Sequence, residues 1–275
     1  MKRLLTVIPL LALLGACSPI RETAQATVSA PPPNRIEPIA APAAPVLPLE
    51  STRITRSESS GVVFEGLAFD SRQQKLAVID QAGGPGSTFA TAEAAGQSCD
   101  ALAAINAGFF TPEGEPLGLV IASGKRAGSW NSASSLGSGV WHMNSSGVPA
   151  ITRREKLGRS EASNMQELLQ AGPMLIENGH IVSGLNAEKS SIRTLILWDG
   201  GNRWWIGRSS ACTLAQLAIA TASANPASWP VRHALNLDGG RSSDLWISAR
   251  VASGPLTRRT PWNRPVRNFL VLLPR

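Results

Sequence analysis

The sequence has no tyrosine and carries little charge, because only 16% of its 275 residues are Asp, Glu, Lys or Arg. It also lacks any apolar run of the roughly 20 residues that a helix needs to cross a bilayer. Hydrophobic residues nevertheless make up 43% of the chain, and the mean hydropathy is +0.00. This balance excludes a disordered chain and a multi-pass membrane protein, and the length allows one large domain or two small ones.

The motifs of several common catalytic sites are also absent. The chain has no GxSxG, GxGxxG, Walker P-loop or HExxH sequence, and its three histidines, His142, His180 and His233, stand alone. A Ser-His-Asp hydrolase or a zinc enzyme therefore has no basis in the sequence. The formal net charge is +7, but no basic run alternates with aromatic residues. This pattern argues against nucleic acid as a partner.

The first residues have the features of a lipoprotein signal. Lys2 and Arg3 precede an apolar stretch, residues 4–14, which is followed by Gly15-Ala16-Cys17. We interpret residues 1–16 as a signal peptide and Cys17 as the lipidated first residue of the mature protein. An ordinary signal peptide with a cysteine nearby is the alternative. Removal of Lys2 and Arg3 lowers the formal net charge from +7 to +5.

A tether and a folded domain are predicted after the signal. Residues 17–49 are rich in alanine and proline, a composition that disfavours helix and sheet and favours extended, solvated chain. The folded domain is predicted over residues 50–275. Ser18 resembles the sorting residue of outer-membrane lipoproteins in Gram-negative bacteria. We therefore expect a lipid-anchored protein of the bacterial cell envelope, at the outer membrane and facing the periplasm.

Two further cysteines, Cys99 and Cys212, remain in the predicted domain. In an oxidising compartment, two leftover thiols favour one disulfide bond. The alternative is a pair of buried free thiols. Neither cysteine belongs to a CxxC pair, so structural zinc is not indicated.

The folded part has the pattern of many short strands and few helices. Turn sequences predict three hairpins, at residues 144–147, 178–179 and 199–202. Further strands are predicted at 62–69, 75–79, 117–122, 235–238, 245–248 and 268–273. Helices are predicted at 88–95, 100–104, 164–170 and 214–222, the third from the capping-box pair Ser163 and Gln166. The pattern predicts an α+β fold, mainly antiparallel sheet built from hairpins with a few packed helices.

One short pattern occurs twice. Cys99 and Cys212 each precede a predicted helix, and an apolar strand then ends in Asn106-Ala107-Gly108 or in Asn236-Leu237-Asp238-Gly239. If the repetition is real, the domain consists of two related halves, and the two Asn-Gly strand ends face each other.

The densest group of polar residues follows the apolar strand that ends near Asp238. Asn236 and Asp238 lie on one face of that strand, because strand side chains alternate. Gly239 and Gly240 allow a positive φ and a close approach of a ligand, and Ser242 adds a phosphate donor. A tight turn that happens to contain Asp-Gly is the alternative. A buried carboxylate beside a buried amide is costly without partners, which favours a functional site.

Three other positions are candidates for the same site. Asn106 ends its own apolar strand and precedes Phe110, an aromatic residue suited to a sugar site or to the core. Gly172 lies in a Gly-Pro entry turn before a strand, where backbone geometry alone is an equal explanation. Arg193 stands at the head of an apolar strand, so its guanidinium is expected to be paired or bound to an anion.

The order of these motifs resembles the phosphodiester glycosidase family, to which N-acetylglucosamine-1-phosphodiester alpha-N-acetylglucosaminidase and its bacterial relatives belong. The matching segments are residues 106–110, 118–124, 170–179, 193–194, 236–243 and 266–270. The resemblance implies an α+β fold, hydrolysis of a sugar-1-phosphodiester bond and a phosphorylated glycan as substrate. One departure is Arg241, which stands where the family commonly has a third glycine.

The residues are consistent with that chemistry. A phosphate leaves as a stabilised anion, so less general-acid help is needed than for an ordinary glycoside. Asp238 is the expected nucleophile or general base, Arg193 the phosphate clamp, and Asn106 and Asn236 the holders of sugar hydroxyls or water. No cofactor is predicted, although a hard cation such as Ca²⁺ at Asp238 is left open. A phosphoglycan-binding envelope lipoprotein without catalytic activity is the alternative function. The oligomeric state is not indicated.

Overall fold

Seventeen strands in three antiparallel sheets form the framework of the described part of the chain. The structure is a computed structural model, and it describes residues 51–224 and 226–275. The predicted signal peptide, the lipidated Cys17 and the tether over 17–49 lie outside the described residues. Among the residues that are described, no helix is long and apolar enough to span a membrane.

The largest sheet has seven strands and carries one side of the candidate site. Its strands, in spatial order, are β1 (Arg53–Ser59), β2 (Val62–Asp70), β13 (Arg203–Cys212), β12 (Ser191–Trp198), β14 (His233–Asn236), β10 (Met174–Glu177) and β11 (His180–Ile181). Each neighbouring pair is antiparallel. In this order β14 is an inner strand, so both of its edges are hydrogen-bonded.

Two five-stranded sheets complete the structure. One contains, in spatial order, β16 (Leu256–Arg259), β15 (Asp244–Ile247), β4 (Ala103–Asn106), β17 (Asn268–Pro274) and β3 (Gln74–Asp80). The other contains β6 (Lys125–Ala127), β5 (Val120–Ala122), β9 (Glu167–Ala171), β7 (Gly139–Met143) and β8 (Pro149–Arg153). All of these strand pairs are antiparallel as well.

Helices are few and short. They are α1 (Ala92–Gln97), α2 (Arg159–Ser163) and α3 (Leu214–Ala224), with single 3-10 turns at Ser135–Gly137, Arg154–Lys156 and Gly240–Ser242. The first helix begins after Thr91, whose Oγ1 accepts the Ala94 N–H at 3.0 Å. This capping satisfies a backbone donor that the first turn leaves unpaired.

One apolar core joins the three sheets. Its buried side chains include Ile206 and Leu235 from the seven-stranded sheet, Ile105 and Leu270 from the second sheet, and Leu169 from the third. Burial of apolar surface is the main favourable term in folding. Because these strands share one core, the ends of β4 and β14 are held beside each other.

The structure confirms the mainly antiparallel sheet with few helices. All three predicted hairpins are present, as β7–β8, β10–β11 and β12–β13. The predicted helix at 214–222 corresponds to α3, whereas the one at 88–95 begins later, at Ala92. The backbones of the two Asn-Gly strand ends do meet, because the Asp238 N–H donates to the Ala107 carbonyl at 2.9 Å. The relation between two halves stays a prediction.

Two predicted helices are wrong. Residues 164–170 run largely as β9, which is buried at all five positions between β5 and β7. Residues 100–104 form the approach to β4, which pairs with β15 and β17. In both segments, pairing on two edges and full burial outweigh a local capping signal or alanine content, since propensity is a weak preference.

The predicted disulfide bond is also wrong, because Cys99 and Cys212 are both free thiols. Cys99 packs in a cluster with Trp246 beside α1, whereas Cys212 belongs to a separate cluster against α3. The Cys212 Sγ lies 3.5 Å from the Ser209 hydroxyl oxygen. The open alternative of two thiols packed in apolar surroundings is therefore the observed one.

Candidate functional site

The candidate site lies where the chain leaves β14. The Leu237 N–H donates to the Thr194 carbonyl on β12 at 2.8 Å, and the next residue, Asp238, is tied to Ala107 after β4. The chain bends at Asp238, just beyond the end of β14 at Asn236. Both side chains line one cavity of about 360 Å³. That volume is within the usual range for small-molecule sites.

Asp238 presents one carboxylate oxygen that has no hydrogen-bond partner among the described residues. Oδ1 accepts the Gly239 N–H at 2.9 Å, whereas the buried Oδ2 is unpaired and lies 4.0 Å from a guanidinium nitrogen of Arg264. Burial raises the pKa of this carboxyl, and the Ser242 hydroxyl, Arg264 and the Gly239 N–H oppose the rise without cancelling it. The hydrogen-bonding capacity of this buried oxygen is therefore not used by the described residues.

Asn236 offers a second unpaired oxygen in the same cavity. Its Nδ2 donates to the Gly172 carbonyl at 2.8 Å, and this bond leaves Oδ1 buried and without a partner in the described part of the chain. Gly172 therefore orients Asn236 and does not itself line the cavity. A Cβ at this glycine would collide with the Ser135 carbonyl, so close packing requires glycine here.

Positive charge enters the cavity from Arg193 and Lys189. The Arg193 Nε donates to the Cys212 carbonyl at 3.1 Å, and Nη2 donates to the Lys189 carbonyl at 2.6 Å. Partial burial lowers the pKa of Arg193, yet a guanidinium stays protonated. Within the described residues Arg193 has no carboxylate partner. The two carbonyls therefore hold its guanidinium in place, and no described negative side chain compensates its charge.

Asn106 lies behind the cavity and not in its wall. Its Nδ2 donates to the Asp238 carbonyl at 2.6 Å, and its Oδ1 accepts the Thr194 hydroxyl at 2.8 Å and the Asp244 N–H at 3.0 Å. The side chain is fully buried, and each of its two polar atoms is engaged. Asn106 therefore positions Asp238, and its fully buried amide does not line the cavity.

The two glycines after Asp238 have different roles. Gly240 has φ +61°, a left-handed conformation that favours glycine. Gly239 is extended, and a Cβ there would lie 2.6 Å from the Ile192 carbonyl oxygen. Gly239 lines the cavity, but its N–H is already given to Asp238, which leaves that amide unavailable to a phosphate.

Ser242 and Phe110 lie near the site but do not line the cavity. The aromatic residue that lines it is Phe109. Arg264 connects the first two residues, because its Nε lies 3.2 Å from the Ser242 Oγ and its guanidinium lies 4.8 Å above the Phe110 ring centre. Sequence reasoning missed Arg264 and Lys189. Both occur in loops without periodic pattern, where no local signal marks them.

Within the described residues, Asp238 is the one carboxylate in the cavity wall. Glu65 is held by the Arg258 guanidinium at 3.0 and 3.1 Å, which lowers the pKa of Glu65. Asp244 accepts the Ala92 N–H at 2.9 Å. No group of three or more His, Cys, Asp or Glu side chains converges in residues 51–224 and 226–275. The question of a hard cation at Asp238 stays open.

The chain thus has a mainly antiparallel fold of three sheets, and a polar cavity flanked by cations lies at the end of one strand. Residues 100–273 match the family model of phosphodiester glycosidase, and this match covers more than half of the chain. The chain therefore belongs to the phosphodiester glycosidase family. No curated protein is significantly similar in sequence.

Two solved structures share the fold. The catalytic domain of zebrafish N-acetylglucosamine-1-phosphodiester alpha-N-acetylglucosaminidase, auto-inhibited by its pro-peptide, is 19% identical with a TM-score of 0.55, and the match covers 86% of each chain. A hypothetical protein from Synechocystis is 17% identical with a TM-score of 0.56. That match covers 82% of this chain and 61% of the other.

Proposed function

We propose that the protein hydrolyses the glycosidic bond of a sugar-1-phosphodiester in an envelope or exopolysaccharide glycan. The observation that carries the proposal is that Asp238 and Asn236, each with a buried oxygen that lacks a hydrogen-bond partner among the described residues, line the same cavity as Arg193 and Lys189. Family membership and the activity for which the zebrafish relative is named support the same reaction class.

The proposed reaction breaks the bond between the anomeric carbon and the phosphate oxygen. Water supplies a hydroxyl group to the anomeric carbon and releases one proton, and the phosphate leaves as a monoester anion. Asp238 acts on the anomeric carbon either directly or by activating the water. Direct attack retains the anomeric configuration and water attack inverts it, so the product anomer distinguishes the two routes.

A single carboxylate suffices for this chemistry where an ordinary glycosidase uses two. The leaving phosphate is a stabilised anion, so it departs without a general acid. Arg193 and Lys189 supply positive charge where the phosphate gains negative charge, and Arg193 is already fixed by two backbone carbonyls. Asn236 Oδ1 accepts a hydrogen bond from a sugar hydroxyl. This bond supplies the partner that the fold does not provide.

The test is hydrolysis of a 4-nitrophenyl ester of N-acetylglucosamine-1-phosphate by the purified protein. We expect Asp238→Ala to abolish release of the sugar. Glu58→Ala, which removes an exposed carboxylate on β1, is the matched control and should keep wild-type activity. Equal rates for wild type and Asp238→Ala would remove Asp238 from the reaction.

Glycan binding without turnover is the second candidate function, and the presence of only one carboxylate in the cavity wall favours it. In that case a sugar-1-phosphodiester binds, as measured by titration calorimetry, but is recovered intact. Substitution of Asp238 by Ala would then leave its affinity unchanged.

We also propose that the protein is attached to the cell envelope through a lipid on Cys17, with a phosphorylated glycan of that compartment as its substrate. The supporting pattern is the Gly15-Ala16-Cys17 sequence after the apolar stretch. Cys17→Ser should release the protein from the membrane fraction, whereas Cys99→Ser should not. Retention of the Cys17→Ser protein in that fraction would contradict the lipid anchor.

A further inference from the structure

A loop over residues 260–265 lies along the turn that follows Asp238. The Arg264 N–H donates to the Arg241 carbonyl at 2.9 Å, and the Asn263 Nδ2 donates to the Ser243 carbonyl at 3.0 Å. In return, the Arg241 Nε donates to the Trp262 carbonyl at 3.1 Å. The loop and the turn are therefore one hydrogen-bonded unit at the edge of the candidate site.

This unit exposes an aromatic ring. Trp262 is 75% exposed, the highest value among the large hydrophobic side chains that are exposed in the described residues. The others, Val148, Ile181 and Ile219, are aliphatic. A flat indole face in water is well suited to packing against the apolar face of a sugar ring.

The same unit has positive charge that the fold neutralises only in part. Arg241 is exposed and has no carboxylate partner among the described residues. The Arg264 side chain is half exposed, and its nearest carboxylate oxygen, Asp238 Oδ2, is 4.0 Å away. Arg258 and Arg259, by contrast, face Glu65 and Asp244. Planar guanidinium groups bind phosphate oxygens in pairs of hydrogen bonds.

We infer that Trp262, Arg241 and Arg264 form a subsite for a second sugar-phosphate unit of a polymeric substrate. The inference rests on the proposed function, and it specifies the substrate class as a polyanionic glycan with phosphodiester-linked repeats. Trp262 packs on a sugar ring of the neighbouring unit, and Arg241 binds its phosphate. Arg264 is the member of this subsite that lies nearest Asp238, with 4.0 Å between its guanidinium nitrogen and Asp238 Oδ2, so the subsite adjoins the reacting unit.

The test compares a short and a long substrate. The short substrate is the 4-nitrophenyl ester of N-acetylglucosamine-1-phosphate, and the long one is a synthetic trimer of N-acetylglucosamine-1-phosphate units. We expect Trp262→Ala and Arg241→Gln each to lower kcat/KM for the trimer about tenfold and to change it less than about twofold for the short ester. The exposed residues Ile219 and Arg126 provide the controls, Ile219→Ala and Arg126→Gln, which should not distinguish the substrates.

Equal losses on both substrates, or no loss on either, would overturn the inference. If the wild-type protein hydrolyses neither substrate, the proposed function fails. Fluorescence titration then measures the affinity for the trimer and tests the subsite separately. Tighter binding by wild type than by Trp262→Ala, by about tenfold, would support the subsite. Equal affinities, or no binding of the trimer, would overturn it.

Discussion

The Asp238 carboxylate is buried to 7% exposure, and one of its oxygens is unpaired. Burial raises the pKa of Asp238, so the folded state binds the proton more tightly than the unfolded chain does. The ionised group therefore lowers the stability of the fold as pH rises above the unfolded pKa of about 3.9. Burial of an ionised oxygen that lacks a hydrogen-bond partner is therefore unfavourable for folding.

We expect Asp238→Asn to abolish hydrolysis without lowering the thermal midpoint of unfolding at pH 7. The amide Oδ1 can still accept the Gly239 N–H, and the ionised form that burial disfavours is removed. Calorimetry between pH 3 and pH 8 measures the effect, and any gain over wild type should vanish below about pH 4. A variant that unfolds at lower temperature than wild type at pH 7 would contradict this account.

Arg193 contributes both its positive charge and the planar shape of its guanidinium group. Arg193→Lys keeps the charge but loses the fork that holds the Cys212 and Lys189 carbonyls. We expect KM to rise about tenfold while kcat changes little, because positioning of the phosphate is lost and the carboxylate remains. Steady-state kinetics on the short ester measure this, with Arg126→Lys on the exposed β5–β6 hairpin as control. A fall in kcat at constant KM would contradict it.

At the scale of the elements, Asn106 joins three strands to the turn that carries the site. Its amide bonds the Asp238 carbonyl, the Thr194 hydroxyl on β12 and the Asp244 N–H on β15. We expect Asn106→Ala to lower the free energy of unfolding by about 3 kcal/mol, since buried backbone groups lose their partners. Urea denaturation measures this loss. Full stability with reduced kcat would instead point to a direct role in the reaction.

The elements show which signals in the sequence are reliable. The hairpin turn at Asn178-Gly179 and the extended form of β2 depend on neighbouring residues, and both were predicted. β9 was predicted as a helix, because Ser163 and Gln166 match a capping box and nothing local reveals that β5 and β7 pair with the segment. β1 was missed for the same reason, since its pairing partner β2 fixes its extended form.

The same distinction applies to the candidate site: features that depend on neighbouring residues were predicted, and those that depend on distant contacts were not. Asn236 and Asp238 were predicted as neighbours on one face because a single residue, Leu237, separates them, and both line the cavity. Asn106 was recognised as part of the site, but its task of holding the Asp238 carbonyl depends on contacts 132 residues apart. Arg264 and Lys189 are brought in by loops, whose paths depend on the assembled sheets.

At the scale of the whole molecule, no disulfide bond links the described cysteines. We therefore expect a reducing agent to leave the thermal midpoint unchanged. The half-buried Cys99 should react slowly with maleimide, because burial raises the pKa of its thiol. The buried Cys212 should react only in denaturant. Mass spectrometry counts the labels, and a lower midpoint in reductant would contradict two free thiols.

The last strand in the sequence is not at the border of its sheet. β17 lies between β4 and β3, and it pairs with both along most of its length. A nascent chain thus cannot complete this sheet on the ribosome before residues 268–274 have been synthesised. We expect a chain truncated after Arg267 to show no cooperative unfolding transition, whereas a cooperative transition would show that the sheet assembles without this inner strand.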